Sequence, residues 1–562
     1  MEKNHSQTKA NKLLIICGAL FLSTLSASWM LSEKTLSNHE CFVSITAREM
    51  LQSGDWIWPT CNGQPRLAKT PLSYWLVGGL AKITGRVDEF TSRLPSVIFA
   101  VLSIVSIIYF VNRWLSFRTA VISGAIWATS LTYIRYAHNA RPEMALIFFI
   151  TLCFLSFYSA ATASSRRRQI IYMLIFWISL GLGNLAKGPA PLPRVIIPLF
   201  FYVALFRKWK TIPKLLPVIG PIIFLAIVLP WPLAIAQRLN WDLAVWKREF
   251  VDRFLGNYAP GDKAFYYYLP RLFLFIAPWS AFMPMALAGP FYKAWGKRQP
   301  AMQFLWLWFV ADLAFLTICG GKRQHYMLPI IPPMTILIGI LIEDMVFTRK
   351  AYTSEYARGV FKKHIIAIAV GVAALIIYIA KTRPGMLIEA IVIGITTLTT
   401  IAVVALLFAK GWRYCGCWTI FGGIIVVVMV CYASLLCPLD RNRYSRDFSK
   451  KIAEIIPQSE KLWAFQYISN RSVHYFGKTI PVINDKSKLY EHYKQGDWLV
   501  ATAGHLQELL QDGRLRMVYY RKKAERRRQD DASGALFHKS APAIKEKDLE
   551  GFRKGPNQPD SR

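Results

Sequence analysis

The sequence predicts a polytopic α-helical membrane protein of about thirteen transmembrane helices, carrying a small C-terminal α/β domain outside the membrane. Three observations predict it. Of 562 residues, 54% are hydrophobic and only 18% are charged, a balance that soluble domains rarely show. Apolar runs of about 20 residues, the length that crosses a bilayer core, recur along most of the chain. The bases between those runs fall in alternate loops, as the positive-inside rule requires.

The runs lie near residues 13–31, 93–112, 118–135, 143–162, 170–186, 190–206, 215–236, 268–291, 302–319, 326–347, 365–381, 386–409 and 417–437. Pro191, Pro193 and Pro198 interrupt the sixth of them, so the pieces around 170–206 also read as one broken hairpin. The first run has a second reading, a cleaved signal peptide ending near Ser26-Ala27-Ser28, but its apolar stretch continues through Trp29-Met30-Leu31. Lys3, Lys9 and Lys12 place the N-terminus in the cytoplasm. The same side collects Arg113, Arg118, Arg166 to Arg168, Lys208, Lys297, Arg349 to Lys363, Lys410 and Arg413. The opposite side receives two long loops, 32–92 and 237–267, and everything after 437.

The expected domains are therefore a membrane domain over 1–437, an extracytoplasmic α/β domain over 438–525 and a basic to mixed tail over 526–562. In the second, β-rich runs (Lys461 to Tyr467, Thr479 to Val482, Trp498 to Ala501, Arg516 to Tyr520) alternate with helical patterns such as His505 to Leu510. The tail opens on Arg526-Arg527-Arg528 and has few apolar residues, which predicts disorder.

Composition excludes several classes. The 68 Lys and Arg against 33 Asp and Glu give a formal charge of +35, but the bases are spread between apolar runs rather than gathered into a nucleic-acid face. No C-x-x-C pair or zinc-spaced His/Cys cluster occurs. No glycine-rich phosphate loop and no solenoid-length repeat is present either.

Ionisable residues at the outer ends of membrane spans are costly to hide, so they are the default candidates for function. Ser37-Asn38-His39-Glu40 opens a helical pattern with Glu40, Ser44 and Arg48 on one face. Ser-x-x-Glu is also a capping box, which accounts for Glu40 structurally; the functional reading is a carboxylate kept ionised by the helix dipole and able to act as a general base. A Trp-rich loop follows, Gly54 to Trp75, with Arg66 and Lys69. Interfacial aromatic belts and a snorkelling lysine explain it, and so does a phosphate site at headgroup depth. His138 to Glu143 starts the fourth run, with Pro142 suited to a first helical turn. Finally, Gly320-Gly321-Lys322-Arg323-Gln324-His325-Tyr326 places bases on the outer side, against the positive-inside trend, and Lys187-Gly188-Pro189 and Arg253 add to them. Cys41 and Cys61 share one external loop, where an oxidising compartment permits a bridge without requiring it.

These residues, taken in order, resemble the polyprenyl-phosphate-sugar-dependent membrane glycosyltransferases of the GT-C type, the group of the protein O-mannosyltransferases and the lipid A aminoarabinose transferases. The matching stretches are Glu40 with Thr46 to Leu51, Gly54-Asp55-Trp56, Asn62-Gly63, Lys69-x-Pro71 with Tyr74-Trp75, Glu89-Phe90 with Arg93-Leu94-Pro95, Lys187-Gly188, Leu229-Pro230-Trp231, Pro278-Trp279, and Gly321-Lys322 with Tyr326. The resemblance implies an inverting transfer of a sugar from a polyprenyl-phosphate donor to an envelope lipid, glycan or protein at the outer face of the inner membrane. The catalytic residues it implies are Glu40, Glu143 and His39, His39 standing where the family has the first acid of a pair. Lys69, Lys187, Arg253, Lys322, Arg323 and Tyr326 are the implied donor-phosphate ligands. A divalent metal occurs in some members, but its usual ligands are replaced here, by Ala68 and around Gly261-Asp262-Lys263.

The chemistry of the residues agrees. Displacing phosphate from an anomeric carbon needs a base for the acceptor and positive charge for the leaving group, but no strong acid. The rival readings are a transporter or flippase of an anionic lipid-linked substrate, which more often shows inverted repeats and mid-membrane charges, a catalytically inactive homologue, and an envelope scaffold, which leaves the outer charges unexplained.

Overall fold

The computed structural model describes residues 2–242, 244–252, 264–348, 354–441, 444–502, 505–506, 509, 515–521 and 534–539. The chain forms two compact units: Met1–Lys34, Asp55–Trp58 and Leu67–Pro438 make a membrane unit, and Thr35–Gly54, Pro59–Arg66 and Leu439–Arg562 make a second.

The membrane unit is helical. It opens with α1 (Glu2–Ser28), and among its later helices α4 (Glu89–Trp114), α7 (Glu143–Thr162) and α8 (Arg166–Lys187) are long and apolar enough to span a bilayer. Among the described residues eight helices meet that test, or nine if Trp209–Leu215 and Ile219–Val228, bent by 54°, count as one. The multi-pass fold is thus as expected, whereas several of the apolar runs are not single helices. Run 118–135 divides into α5 (Phe117–Ala128) and α6 (Leu131–Ala137), because the Ser130 side chain accepts from the Tyr133 N–H and starts a new helix. Run 268–291 is a series of short turns and helices, Leu269–Ile276 and Met283–Ala288 among them. Pro278, Pro284 and Pro290 remove donors from its ladder. The sixth run does form a helix, α9 (Pro191–Leu205), with Pro191 in its first turn.

Helix association in lipid rests on close packing and interhelical hydrogen bonds rather than on hydrophobic burial. Phe154 of α7 stacks on Trp308, centroids 4.1 Å apart. Trp127 and Trp114 donate to Ser103 and Ser159 at 2.7 and 2.8 Å, contacts worth about 0.6–2 kcal/mol each. Gly339 lies so near α5 that a Cβ there would come within 3.0 Å of the Ser123 Cα.

The second unit begins with α2 (Asn38–Ser53) and the hairpin β1 (Thr60–Cys61) and β2 (Gln64–Pro65), joined by Asn62-Gly63 with both φ values positive (56° and 72°), as a two-residue hairpin turn demands. The following α3 (Leu72–Thr84) belongs to the membrane unit. The C-terminal part is a five-stranded sheet of order β4-β3-β5-β7-β6. β3 (Leu462–Phe465), β4 (Val482–Ile483) and β5 (Trp498–Thr502) are parallel; β7 (Gly534–Phe537) pairs antiparallel with both β5 and β6 (Met517–Arg521). The expected α/β domain is present, but its boundaries differ from those expected on both sides. Part of the first loop joins it: Asn62 exchanges two hydrogen bonds with Ile480 (2.8 and 2.7 Å), and Arg48 donates to the carbonyls of His474 and Val473. The region expected to be a disordered tail supplies β7, whose four residues are all buried between β5 and β6. The rest of 526–562, apart from His538 and Lys539, lies outside the described residues. Cys41 and Cys61 are both buried and unbridged.

Candidate active site

At one end of the membrane unit three separate segments converge. Glu143 is the first residue of α7, after Arg141-Pro142, and Lys187 is the last of α8. As an antiparallel pair the two helices bring these ends together, and Lys187 Nζ stands 3.1 Å from Glu143 Oε1. The third segment is the basic cluster at 320–326, where Tyr326 places its ring 6.0 Å from Lys187 Nζ. Arg141 and His325 lie within electrostatic reach of the same carboxylate. Glu143 is 5% exposed, and its second oxygen, Oε2, is buried with no protein hydrogen-bond partner. A buried carboxylate with one oxygen on a cation and the other unmatched is held to accept from something else.

The Lys69 segment joins this end through its neighbour: Thr70 Oγ1 accepts from the Gly188 N–H at 3.0 Å. Lys69 itself is paired with Glu249 at 3.1 Å and 37% exposed, so it is a cation already matched by a carboxylate. Glu249 was no part of the sequence reading, since the 237–267 loop carries no periodic signal. Tryptophans fix this loop by donating to its carbonyls, Trp75 of the expected interfacial belt among them. Trp75 bonds Trp56 O (2.7 Å), Trp231 bonds Ile57 O (2.9 Å) and Trp246 bonds Leu67 O (3.0 Å). Asp55 accepts from the N–H groups of Ile57 and Trp58 and pairs with Arg238. Slight burial opposes its ionisation, but Arg238 and those two donors hold the carboxyl below its ordinary range.

Lys322 is half-buried and Arg323 exposed, both in the turn before Gln324–Ile330. Arg253 lies outside the described residues, as do Gly261, Asp262 and Lys263. Among the described residues no three His, Cys, Asp or Glu side chains are grouped to hold a metal.

His39 and Glu40 belong to the second unit. His39 is exposed. Glu40 is 3% exposed, its Oε2 accepting from the Ser37 N–H at 2.7 Å while the Ser37 hydroxyl accepts from the Glu40 N–H. The capping box is complete.

One buried pair went unnoticed in the sequence. Arg194 of α9 makes two parallel bonds to Asp312, 2.9 and 2.7 Å, both side chains at or below 5% exposure. The signal was available: each is a charge inside an apolar run, which by itself marks a residue with a fixed partner.

Comparison with known proteins fits this geometry. The family described as dolichyl-phosphate-mannose-protein mannosyltransferase matches residues 68–233, which include Lys69, Glu143 and Lys187. An undecaprenyl phosphate-α-4-amino-4-deoxy-L-arabinose arabinosyl transferase of Pseudomonas paraeruginosa is 27% identical over 54% of this chain and 56% of its own length. The protein of the same name from Pectobacterium carotovorum is 27% identical over 74% of each. The chain thus spans little more than half the length of the first of these relatives. Among solved structures, ArnT from Cupriavidus metallidurans bound to undecaprenyl phosphate superposes with a TM-score of 0.79 at 18% identity, covering 95% of this chain and 99% of that one. The chain is similar in sequence and fold to these polyprenyl-phosphate-sugar glycosyltransferases. The likeness of fold extends further: the Archaeoglobus fulgidus oligosaccharyltransferase superposes at a TM-score of 0.52 and 12% identity, over 91% of this chain and 73% of that one.

Proposed function

We propose that this protein is an inverting GT-C glycosyltransferase of the inner membrane, N-terminus in the cytoplasm, which moves a sugar from a polyprenyl-phosphate donor to an envelope acceptor at the outer face. The observation that carries the proposal is the buried Glu143–Lys187 pair with its unmatched Glu143 Oε2, at the membrane end that also holds the outward bases. Glu143 Oε2 accepts the proton of the acceptor hydroxyl or amine as its lone pair attacks the anomeric carbon. The bond from that carbon to the phosphate oxygen breaks, and polyprenyl phosphate leaves as an anion. Lys187, Lys322, Arg323 and the Tyr326 hydroxyl stabilise the developing phosphate charge. Lys69 joins them by exchanging Glu249 for phosphate. Glu40 has the role of a second carboxylate, fixed at its helix terminus, and His39 that of its solvent-facing neighbour. The names of the relatives and the undecaprenyl phosphate bound by the Cupriavidus protein support undecaprenyl phosphate as the carrier and aminoarabinose with lipid A as the first pair to try.

The test is purified protein reconstituted with undecaprenyl-phosphate aminoarabinose and lipid A, with the acceptor read by mass spectrometry. The expected result is one added sugar per turnover, lost in Glu143→Gln. Donor that stays intact with lipid A and also with glycan and protein acceptors, in protein shown to be folded, would overturn the proposal in favour of a transporter or an inactive homologue.

A further inference from the structure

Successive spans alternate in direction, so α4, which begins at Glu89, and the helix leading from Tyr326 to Thr348 both end at the membrane face opposite Glu143 and Lys187. The hairpin turn 410–412, between the spans Pro384–Ala409 and Arg413–Asp440, lies at that same face. There a cavity of about 500 Å³ opens, lined by Arg118, Phe347, Trp412, Arg413 and Tyr414 among others, a volume within the range of small-molecule sites. Nothing in the transfer reaction uses it.

Its walls are aromatic and its charge is positive. The Arg118 guanidinium donates to the Tyr414 hydroxyl at 2.6 Å and lies 4.8 Å from the Phe347 ring centroid and 5.4 Å from that of Tyr414. Glu343 is divided between two arginines, Arg298 at 2.7 Å and Arg118 at 3.8 Å. Arg413 is left with one long contact, to the Val346 carbonyl at 3.5 Å, and among the described residues no carboxylate pairs with it. Lys410 adds a fourth cation over Trp412, 5.7 Å from the ring. The helix Arg413–Cys431 starts here with no side-chain cap on its first-turn N–H groups, which adds to the positive field. Trp412 and Tyr414, both more than half exposed, are the amphipathic rings that settle at the headgroup level of a bilayer.

We propose that this cavity is a binding site for the phosphate headgroup of an anionic phospholipid in the leaflet opposite the catalytic face. The lipid phosphate takes the place of the missing carboxylate on Arg413 and shares Arg118, while Trp412 and Tyr414 pack on the glycerol. Basic pockets between membrane helices recognise anionic headgroups in this way. The occupant is a lipid rather than free phosphate because three of the eight lining residues, Phe347, Trp412 and Tyr414, present aromatic surface, which a small hydrated ion cannot cover.

The experiment uses the full chain, delipidated in detergent, with phosphatidylglycerol, phosphatidylcholine or inorganic phosphate added at matched concentrations. Native mass spectrometry counts retained lipid, and thermal unfolding reports stabilisation. Phosphatidylglycerol is expected to be retained and to raise Tm over phosphatidylcholine, with Arg413→Gln binding it about tenfold more weakly for the loss of one charge-assisted contact. Arg413→Lys should restore most of that binding. Trp412→Ala is the second variant, should Arg413→Gln fold poorly, and is expected to weaken phosphatidylglycerol retention likewise. Equal retention of both lipids, or phosphatidylglycerol binding unchanged in the folded variants, overturns the proposal. A Tm rise from inorganic phosphate as large as that from phosphatidylglycerol overturns the lipid as occupant.

Discussion

Glu143 in the membrane unit and Glu40 in the second unit are the same residue type in the same place, the first turn of a helix, and both are buried. Their surroundings differ. Glu40 is bonded to its own cap residue three positions away, so its carboxylate closes a local motif. Glu143 reaches across to Lys187, 44 positions away on another helix, and keeps one oxygen unmatched. A carboxylate that closes a capping box is accounted for by the helix it starts. One held by a distant cation and left half unsatisfied is explained by what it is waiting to bind.

The largest effect that sharpens this contrast is expected at Glu143. Glu143→Gln should lower transfer by about 10²–10⁴-fold, the usual contribution of a positioned base, and also destabilise the protein by ~3 kcal/mol because it strands a buried lysine. Adding Lys187→Met should recover the Tm while leaving transfer lost. Turnover and thermal unfolding on the same preparations separate the two effects, and a double variant that regains transfer would make the pair purely structural.

Next comes a charge pair in the same unit that carries no proposed chemistry. Asp312→Asn should cost stability by ~3 kcal/mol, since it leaves Arg194 buried without its carboxylate, whereas donor binding in the protein that remains folded should be unchanged. A specific loss of donor affinity would extend the site to Arg194.

At Glu40 the two roles are separable by variant. Ser37→Ala removes the cap's acceptor and should cost about 1 kcal/mol with transfer intact. Glu40→Gln should cost a similar amount, and a loss of transfer beyond that of Ser37→Ala is what a chemical role for Glu40 requires. Equal behaviour of the two variants would reduce Glu40 to a cap.

The smallest effect is at Cys61. Burial pushes its thiol up to about 11, with the nearby Arg66 opposing, so the thiolate fraction at pH 8 is small. Alkylation of Cys61 should be slow in the folded protein, should speed as pH rises toward 11, and should become rapid in denaturant at pH 8. Rapid labelling of Cys61 at pH 8 would show that the first-loop hairpin opens.

The same contrast explains which parts of the molecule were legible in the sequence. Apolar length and capping are local, so α4, α7 and α8 and the Ser37–Glu40 box were readable from residues close in sequence. The break at Thr129-Ser130 was not, because the surrounding apolar run continues through it. β7 escaped because Gly534-Ala-Leu-Phe537 is a four-residue apolar run close behind a basic stretch, and only the exposed edge of β5 gives it a reason to be a strand. Glu143, Lys187 and Tyr326 were each singled out as charges or rings at span ends. That they meet depends on the antiparallel packing of α7 and α8, which no short-range pattern records. Joining of the first loop to the C-terminal sheet rests on bonds such as Asn62 to Ile480, 418 positions apart.

The most direct test of the central claim is mass spectrometry of envelope lipids, glycans and proteins from cells lacking the gene and complemented with either the wild type or Glu143→Gln. The account predicts a mass increment of one sugar on a single class of acceptor, present with the wild type and absent with the variant. An unchanged profile in cells shown to contain the wild-type protein, or full restoration by Glu143→Gln, would contradict it.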